Sequence, residues 1–368
     1  MDLGVVAIMK FEVFSSLDEF AALRDEIEAH LKNFPESFFY SPGWLIPFQK
    51  VFGTGMEFRH VIGRDPQGKM TGSAHLSIVR TPFLRVLRQR VVALMGTRAA
   101  VSPEHLDLPI RPEAWDQWFD FLEKQIAGDM GSCAFALFDS VAEHAPFIEA
   151  WTARLRDRGF RVVREEQDVC PYFDLPESYQ ALLDGYSANM RKITRRTLRR
   201  AGDQVRMADH TEIGDVETVL SEARRLHTLS RGKKGDAGSL GRSGYMEFHR
   251  ELIRSLSHGD ALYMKFLVSA GTPIAYRHGF LVDGVYYDYQ TGYDPAHERL
   301  RPGFVILALV VEDLIRRGVR RFDFLRGDEP YKRHWASKDR RSYRYLIFPP
   351  RLRSWLYLSL RRLYHGLW

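Results

Sequence analysis

One arrangement of elements occurs twice along this chain, and it constrains the fold more than any single motif. Residues 59–79 read as a hairpin: an apolar strand, Asp65-Pro66-Gln67-Gly68 as the turn, then an alternating strand. After it come a short strand at 105–110, a helix at 112–127 and a strand at 133–139. Residues 262–282 have the same hairpin shape around Ala270-Gly271-Thr272-Pro273, then a strand at 285–291, a helix at 302–317 and a strand at 321–325. The offset is about 200 residues, and internal duplication is the simplest account. Strands and helices interleaved in this way predict a mixed α/β fold. The 368 residues suffice for two cores. A boundary fits near 165–175, where Pro171 interrupts a polar stretch. The expected division is a domain at 1–170, a second at 171–348 and a tail at 349–368.

The two copies differ chemically. The first carries Trp115, Trp118 and Phe119 on its helix and no glycine at the helix start. It lacks a counterpart of the loop Gly327-Asp328-Glu329-Pro330-Tyr331-Lys332. The first copy therefore reads as a degenerate scaffold and the second as the working half. Between the two hairpins, residues 186–201 form a strongly basic predicted helix with Ser187 as its N-cap. Further helices are expected at 215–230 and 243–256. The glycine-rich basic segment 231–244 reads equally as a loop that orders over a ligand and as a plain linker.

Composition narrows the class. A 45% hydrophobic content is that of a globular chain and excludes wholesale disorder. Two cysteines, Cys133 and Cys170, have no metal-type spacing, so neither a disulfide framework nor a bound metal is expected, and a reducing cytoplasm is. The longest apolar run, 304–311, is too short to cross a bilayer, and the N-terminus has no secretory pattern. A net charge of +6 favours anionic partners.

Pro302 suits the first position of a helix, and Gly303 permits close approach of a ligand. The N–H groups from Phe304 onward are then expected to be free donors at the positive end of the dipole, with Arg299 or Arg301 adding charge. In the strand that follows, alternation points Asp323 into an apolar setting, where a carboxylate must pair or change its pKa. Lys332 is expected to hold an anionic group and Tyr331 to donate a proton. His278, in mid-strand, is either a core residue or a general base. Asp288 and Tyr289 stand close to it in the pattern.

The second half resembles the GNAT acyltransferase superfamily, in particular the branch of CelD-like, cellulose-biosynthesis-type acetyltransferases related to the Fem transferases. The resemblance covers residues 180–348. It rests on the basic segment 187–200, Gly271-Thr272-Pro273-Ile274-Ala275, Gly292-Tyr293-Asp294-Pro295, Arg301-Pro302-Gly303, the run from Phe322 to Asp328, and Tyr331-Lys332 with Trp335. The usual pyrophosphate loop of the superfamily has glycine where Pro302 stands here. The resemblance implies tandem GNAT-like domains and an acyl-CoA or acyl-carrier-protein thioester as donor, without a metal. It implies pyrophosphate binding by Arg299, Arg301, Gly303 and Phe304. The expected base is His278, with Asp328 next. Tyr331 and Lys332 would steady the acceptor or the oxyanion, and Tyr289, Asp323, Arg326 and Trp335 would contact substrate.

Relatives of this branch are associated with ceramide-type N-acylation, so the implied acceptor is an amine on a lipid, such as a long-chain base, or on an envelope sugar. The tail 350–368 reads as a basic amphipathic helix with aromatic anchors, and 81–98 repeats that pattern. Each suits either a membrane surface or the protein's own core. The expected location is cytoplasmic, with peripheral contact at the inner face of the membrane as a further option. Nucleic acid is the less favoured partner, because aromatic residues are not interleaved with the basic ones. An aminoacyl-tRNA-dependent Fem-type transferase and a non-catalytic RNA-binding protein are the alternatives.

Overall fold

The computed structural model describes residues 8–83, 87–97, 99–129, 133–232, 242–256, 259 and 261–365. Twelve strands are formed by these residues. They are β1 (Lys10–Phe14), β2 (Glu57–Arg64), β3 (Met70–Phe83), β4 (Leu87–Leu94), β5 (Ala136–Ala142), β6 (Arg161–Asp174), β7 (Arg206–Asp209), β8 (Leu262–Ser269), β9 (Thr272–Val282), β10 (Val285–Tyr293), β11 (Arg321–Asp323) and β12 (Lys338–Phe348). The chain divides into two compact units, 1–168 with 341–368, and 169–340.

The units repeat one topology. Strands of the first run in the order β1-β2-β3-β4-β5-β12, and those of the second in the order β7-β8-β9-β10-β11-β6. In each, antiparallel hairpins lead to one parallel pair, β4 with β5 and β10 with β11. An antiparallel strand then flanks that pair, β12 in the first unit and β6 in the second. The duplication seen in the sequence is thus a duplication of sheet order, and the mixed α/β class holds.

Two expectations about the first copy are corrected. Residues 81–98, read as an amphipathic helix, instead include the end of β3 and all of β4. Val91, Val92, Ala93 and Leu94 are all buried. A strand covered on both faces loses its alternation, which is why its apolar spacing also fits a helix. The stretch 105–110 makes only single bridges among the described residues, Leu106 with Val141 of β5 and Ile110 with Gly72 of β3. It lies in the lane that β4 vacates after Leu94. A Cβ on Gly72 would come within 2.7 Å of Ile110 Cγ1. The helix Leu352–His365 packs on the first unit through Leu358, in a cluster with Val91 and Phe135, and through Ser354 Oγ, which donates to the Ala134 carbonyl at 2.9 Å. Leu352, Trp355 and Leu356 remain exposed. No helix among the described residues is long and apolar enough to cross a membrane.

In the second unit the helices are α1 (Ala188–Ala201), α2 (Val216–Arg231), α3 (Tyr245–Leu256) and α4 (Pro302–Arg316). Ser187 caps α1 by accepting from Met190 N at 3.2 Å, and Asp215 caps α2 by accepting from Thr218 N at 2.9 Å. Most of the 231–244 segment lies outside the described residues. The β8–β9 hairpin turns at Ala270 (φ 46°) and Gly271 (φ 80°), the left-handed pair of a two-residue turn. One sheet face buries Val305, Val310, Val311 and Leu314 of α4 against Tyr263, Tyr286 and Phe322. The other buries Val219, Ala223 and Leu226 of α2 against Met264, Phe266 and Tyr276.

Gly279 of β9 lets Tyr286 lie flat on the sheet. A Cβ there would sit 2.2 Å from the Tyr287 carbonyl oxygen and 2.6 Å from the Tyr286 ring. Gly279→Ala is expected to lower unfolding free energy by roughly 1–3 kcal/mol or more, the usual penalty for overpacking, as measured by urea denaturation.

Candidate functional site

The parallel pair β10–β11 is short. It stays in register only over Val285–Tyr287 opposite Arg321–Asp323. Beyond that point β10 runs on beside β9 with a bulge between Asp288 and Gln290, while the chain after β11 turns away through Leu325 (φ 55°) and Gly327 (φ 106°). The parting strands open a cavity of about 580 Å³. It lies at the carboxyl ends of diverging parallel strands, where open α/β sheets bind ligands. Its walls are Met190 and Ile193 of α1, Arg277 of β9, Thr291 and Tyr293 of β10, the first turn of α4, and Tyr331, His334 and Trp335 of the loop after β11.

The start of α4 forms one end. Arg301 is the N-cap, in left-handed geometry (φ 52°) and without a side-chain cap. Its carbonyl accepts from both Phe304 N and Val305 N at 3.0 Å. The Phe304 N–H expected to be free is therefore taken. Pro302 has none, which leaves Gly303 N–H as the leading donor of the helix. Tyr293 packs against Gly303: a Cβ there would lie 3.2 Å from the ring. The Arg301 guanidinium lies 4.9 Å from the Phe304 ring centre, and its Nη1 is 3.4 Å from Thr197 Oγ1. Arg299 is exposed and does not line the cavity; its carbonyl accepts from Arg200.

The opposite wall is polar at one point. Arg277 is 1% exposed and donates to the Asp288 carboxylate, which also accepts from the Tyr286 hydroxyl at 3.4 Å. Burial pushes the Asp288 carboxyl up, and the Arg277 charge opposes it. Tyr331 exposes part of its ring at the mouth and lines the same cavity as Arg277. Burial raises that phenol, so it stays protonated, with Arg277 acting in the other direction. Trp335 is buried, with its ring centre 5.5 Å from that of Phe304 and 5.9 Å from that of Tyr186. The rest of the lining is largely apolar.

Several expected site residues lie elsewhere. His278 follows Arg277 on β9, so alternation sends it to the other face of the sheet. There it is buried against His249 and Tyr289, with ring centres 5.4 Å and 6.2 Å away. Burial pushes its imidazole down to about 3. Tyr289 stays on that side, 5.5 Å from His249 between ring centres. Lys332, expected to grip an anion, is buried. Its ammonium donates to the carbonyls of Phe324 (3.1 Å), Arg326 (2.7 Å) and Gly327 (3.2 Å) and pairs with Glu329 (2.9 Å), which occupies all its donors. Arg326 joins the loop through that carbonyl and does not line the cavity. Asp323 is fully buried, pairs with Arg340 at 2.5 Å and accepts from Leu325 N at 2.7 Å, so it is structural. Asp328 is exposed and bound to Arg333, whose hydrogen bond holds its carboxyl below the usual range.

The structure thus brings Arg301, Gly303, Phe304, Tyr331 and Trp335 together in one cavity. It adds Arg277, Glu298 and His334, to which sequence reasoning gave no role. A signal for Arg277 existed: it is a lone cation amid the apolar stretch from Ile274 to Val282.

Residues 188–333 match the model of the acetyltransferase (GNAT) domain family. No curated protein sequence matches the chain. Among solved structures, FemX superposes with a TM-score of 0.65 at 11% identity, over 91% of this chain and 98% of that one. A conserved protein of unknown function from Bacteroides thetaiotaomicron gives 0.56 at 10% identity, over 93% and 100% of the two chains. The C-terminal domain of a putative lysylphosphatidylglycerol synthetase from Agrobacterium fabrum gives 0.53 at 12%, over 95% and 98%. These likenesses show the fold, which is mixed α/β and GNAT-like in tandem, and the match to the acetyltransferase (GNAT) domain model falls within the second unit.

Two measurements check the structural assignments. Lys332→Met leaves a cluster of loop carbonyls without their donor and is expected to cost roughly 2–4 kcal/mol in urea unfolding. Because the His278 imidazole titrates far below 6.5 in the folded state, the unfolded chain binds the proton first as pH falls. The stability His278 contributes is full above pH 6.5 and lost as pH drops towards 3. His278→Phe is therefore expected to flatten the fall of the urea midpoint between about pH 6.5 and pH 4.

Proposed function

We propose that the second unit transfers an acyl group from a pantetheine-linked thioester, acyl-CoA or an acyl carrier protein, to an amine. The cavity at the parted β10–β11 pair, with Gly303 N–H at one end and a protonated Tyr331 at the other wall, is the observation that carries this reading. Gly303 N–H and Arg301 would hold the donor's phosphate oxygens at the positive end of α4. Met190, Ile193, Phe304, Leu307 and Trp335 give the thioester a dry, apolar surround. His334 takes the proton of the attacking ammonium, since an amine near pKa 10 is inert until deprotonated. As the new C–N bond forms and the C–S bond breaks, Tyr331 gives its proton to the departing sulfur and is reprotonated by the second proton that the acylated nitrogen loses.

The acceptor classes implied by the resemblance, an amine on a lipid or on an envelope sugar, both suit a mouth formed by α1 and the loop after β11. The exposed Leu352, Trp355 and Leu356 of the last helix are the candidate contact with a membrane surface. A second donor is favoured by one observation. Helix α1 turns Met190 and Ile193 into the cavity, while Lys192, Arg195, Arg196 and Arg199 are exposed. Such a face also suits a carrier with many phosphates, such as an aminoacyl-tRNA.

Gly303→Val is expected to weaken acetyl-CoA binding by about tenfold or more in calorimetry, because its side chain fills the cradle before the first helical N–H. His334→Gln is expected to lower kcat by about a hundredfold, measured as thiol release. Wild-type turnover by His334→Gln would remove it as the base. Donor binding by charged tRNA with a steep salt dependence, in the absence of binding by acetyl-CoA, would favour the Fem-type reading.

A further inference from the structure

We infer that Arg277 forms an anion-recognising subsite for the acceptor, so that the amine acylated here carries a carboxylate or phosphate close to its nitrogen. This rests on the acyl-transfer reading above and specifies its acceptor. Arg277 sits on β9 level with Thr291 of β10, and it lines the cavity. Its guanidinium is held by the Asp288 carboxylate. The Nε–H has no acceptor among the described residues, although it is buried. A buried donor without a partner is costly, and a charged one more so, unless a ligand supplies the acceptor.

The donor thioester does not account for this group. Its phosphates meet Gly303 N–H and Arg301 at the start of α4, whereas Arg277 stands on a neighbouring strand of the sheet. Glu298, the acidic group lining the same cavity, is on the segment that leads into α4 and carries the wrong sign to pair with an anion there. A plain long-chain base or amino sugar offers no anion to Arg277. An amino-acid-like or phosphorylated amine does, and the fixed planar fork suits either oxyanion. The geometry specifies the charge next to the nitrogen. A transient oxyanion could also accept from Nε–H. That role would affect all amines alike, and so differs in outcome from an acceptor subsite.

The test uses the full chain with acetyl-CoA and follows thiol release with two matched pairs, glycine against glycinamide and phosphoethanolamine against ethanolamine, compared at equal free-amine concentration. The anionic member of at least one pair is expected to have a kcat/KM about tenfold or more higher. The pair that shows the preference identifies carboxylate or phosphate as the anion. Arg277→Lys, which keeps the charge beside Asp288 but removes the fork, is expected to reduce that ratio to about twofold. Equal rates within both pairs for the wild-type protein overturn the subsite while acyl transfer stands, and this arm needs no variant to fold. Equal loss for both members of a pair in Arg277→Lys overturns it as well. If no amine releases thiol and acetyl-CoA leaves Tm unmoved, the acyl-transfer reading fails instead. Ligand-observed NMR with N-acetylglycine and N-acetylglycinamide then decides the subsite alone: selective binding of the acid supports it, and equal binding overturns it.

Discussion

Parting two hydrogen-bonded strands strands their backbone groups, and the second unit is organised around that problem. The β10–β11 pair is in register over three residues and then separates. Carbonyls of Phe324, Arg326 and Gly327, which no longer have a strand beside them to donate, all turn to the Lys332 ammonium. The Leu325 N–H finds the Asp323 carboxylate, itself bound to Arg340. Two buried charges thus replace a ladder, and they do so in a low-dielectric setting where an unpaired polar group is expensive. They act with the bonds from Phe324 N to Pro171 O (2.9 Å) and from Gly327 N to Val169 O (3.0 Å) to fix the start of the loop that presents Tyr331, His334 and Trp335.

The first unit meets the same topology with the opposite solution. Its parallel pair, β4 with β5, also separates early, but the gap is filled by the protein's own chain. Residues 106–110 bridge to β5 at Val141 and to β3 at Gly72, and Leu106, Leu108 and Ile110 are buried there. The backbone groups freed by the end of β4 are satisfied by backbone: Leu106 N donates to Ser140 O at 2.8 Å, and Ala142 N to Leu106 O at 2.9 Å. The cavity left beside this segment, about 260 Å³, is less than half the size of the one in the second unit. One sheet order, used twice, thus supports a lane closed by backbone and a lane left open.

This contrast explains which features were legible in the sequence. Local chemistry was: Ala270-Gly271 specifies a two-residue turn, Ser187 a cap and Pro302 a helix start, because each acts through its neighbours in the chain. The order of strand, helix and strand in the second copy was legible for the same reason. The first copy was harder, since β4 is buried on both faces and its pattern fits a helix as well. The site was legible by loop but not by role. Asp328 and Lys332 lie in the same loop as Tyr331, yet one is bound to Arg333 in solvent and the other to carbonyls beneath it. The difference arises from the turn at Leu325 and Gly327, where a Cβ at Gly327 would lie 2.6 Å from a Glu329 carboxylate oxygen. Position in the sequence does not encode it. His278 and Arg277 differ by one residue and so by one face of the sheet; composition favours the histidine, and only the placement of the cavity favours the arginine.

The buried Arg277–Asp288 pair is hard to justify as a stabilising element. Removing two charges from water costs several kcal/mol per ion in general, and well-packed apolar residues of similar size are commonly as stable or more so. What the pair does provide is orientation. Gly279 has no side chain, so Tyr286 can lie across it; Tyr286 places its hydroxyl against Asp288; and Asp288 fixes one edge of Arg277. Each link sits on a strand. The cavity therefore receives a cation whose position is set by the sheet and whose planar shape leaves little freedom. A group fixed in this way can hold a ligand at a set distance, which a side chain on a free loop cannot. The ionic pair thus serves placement at the cavity wall, and its energetic cost is the condition for it.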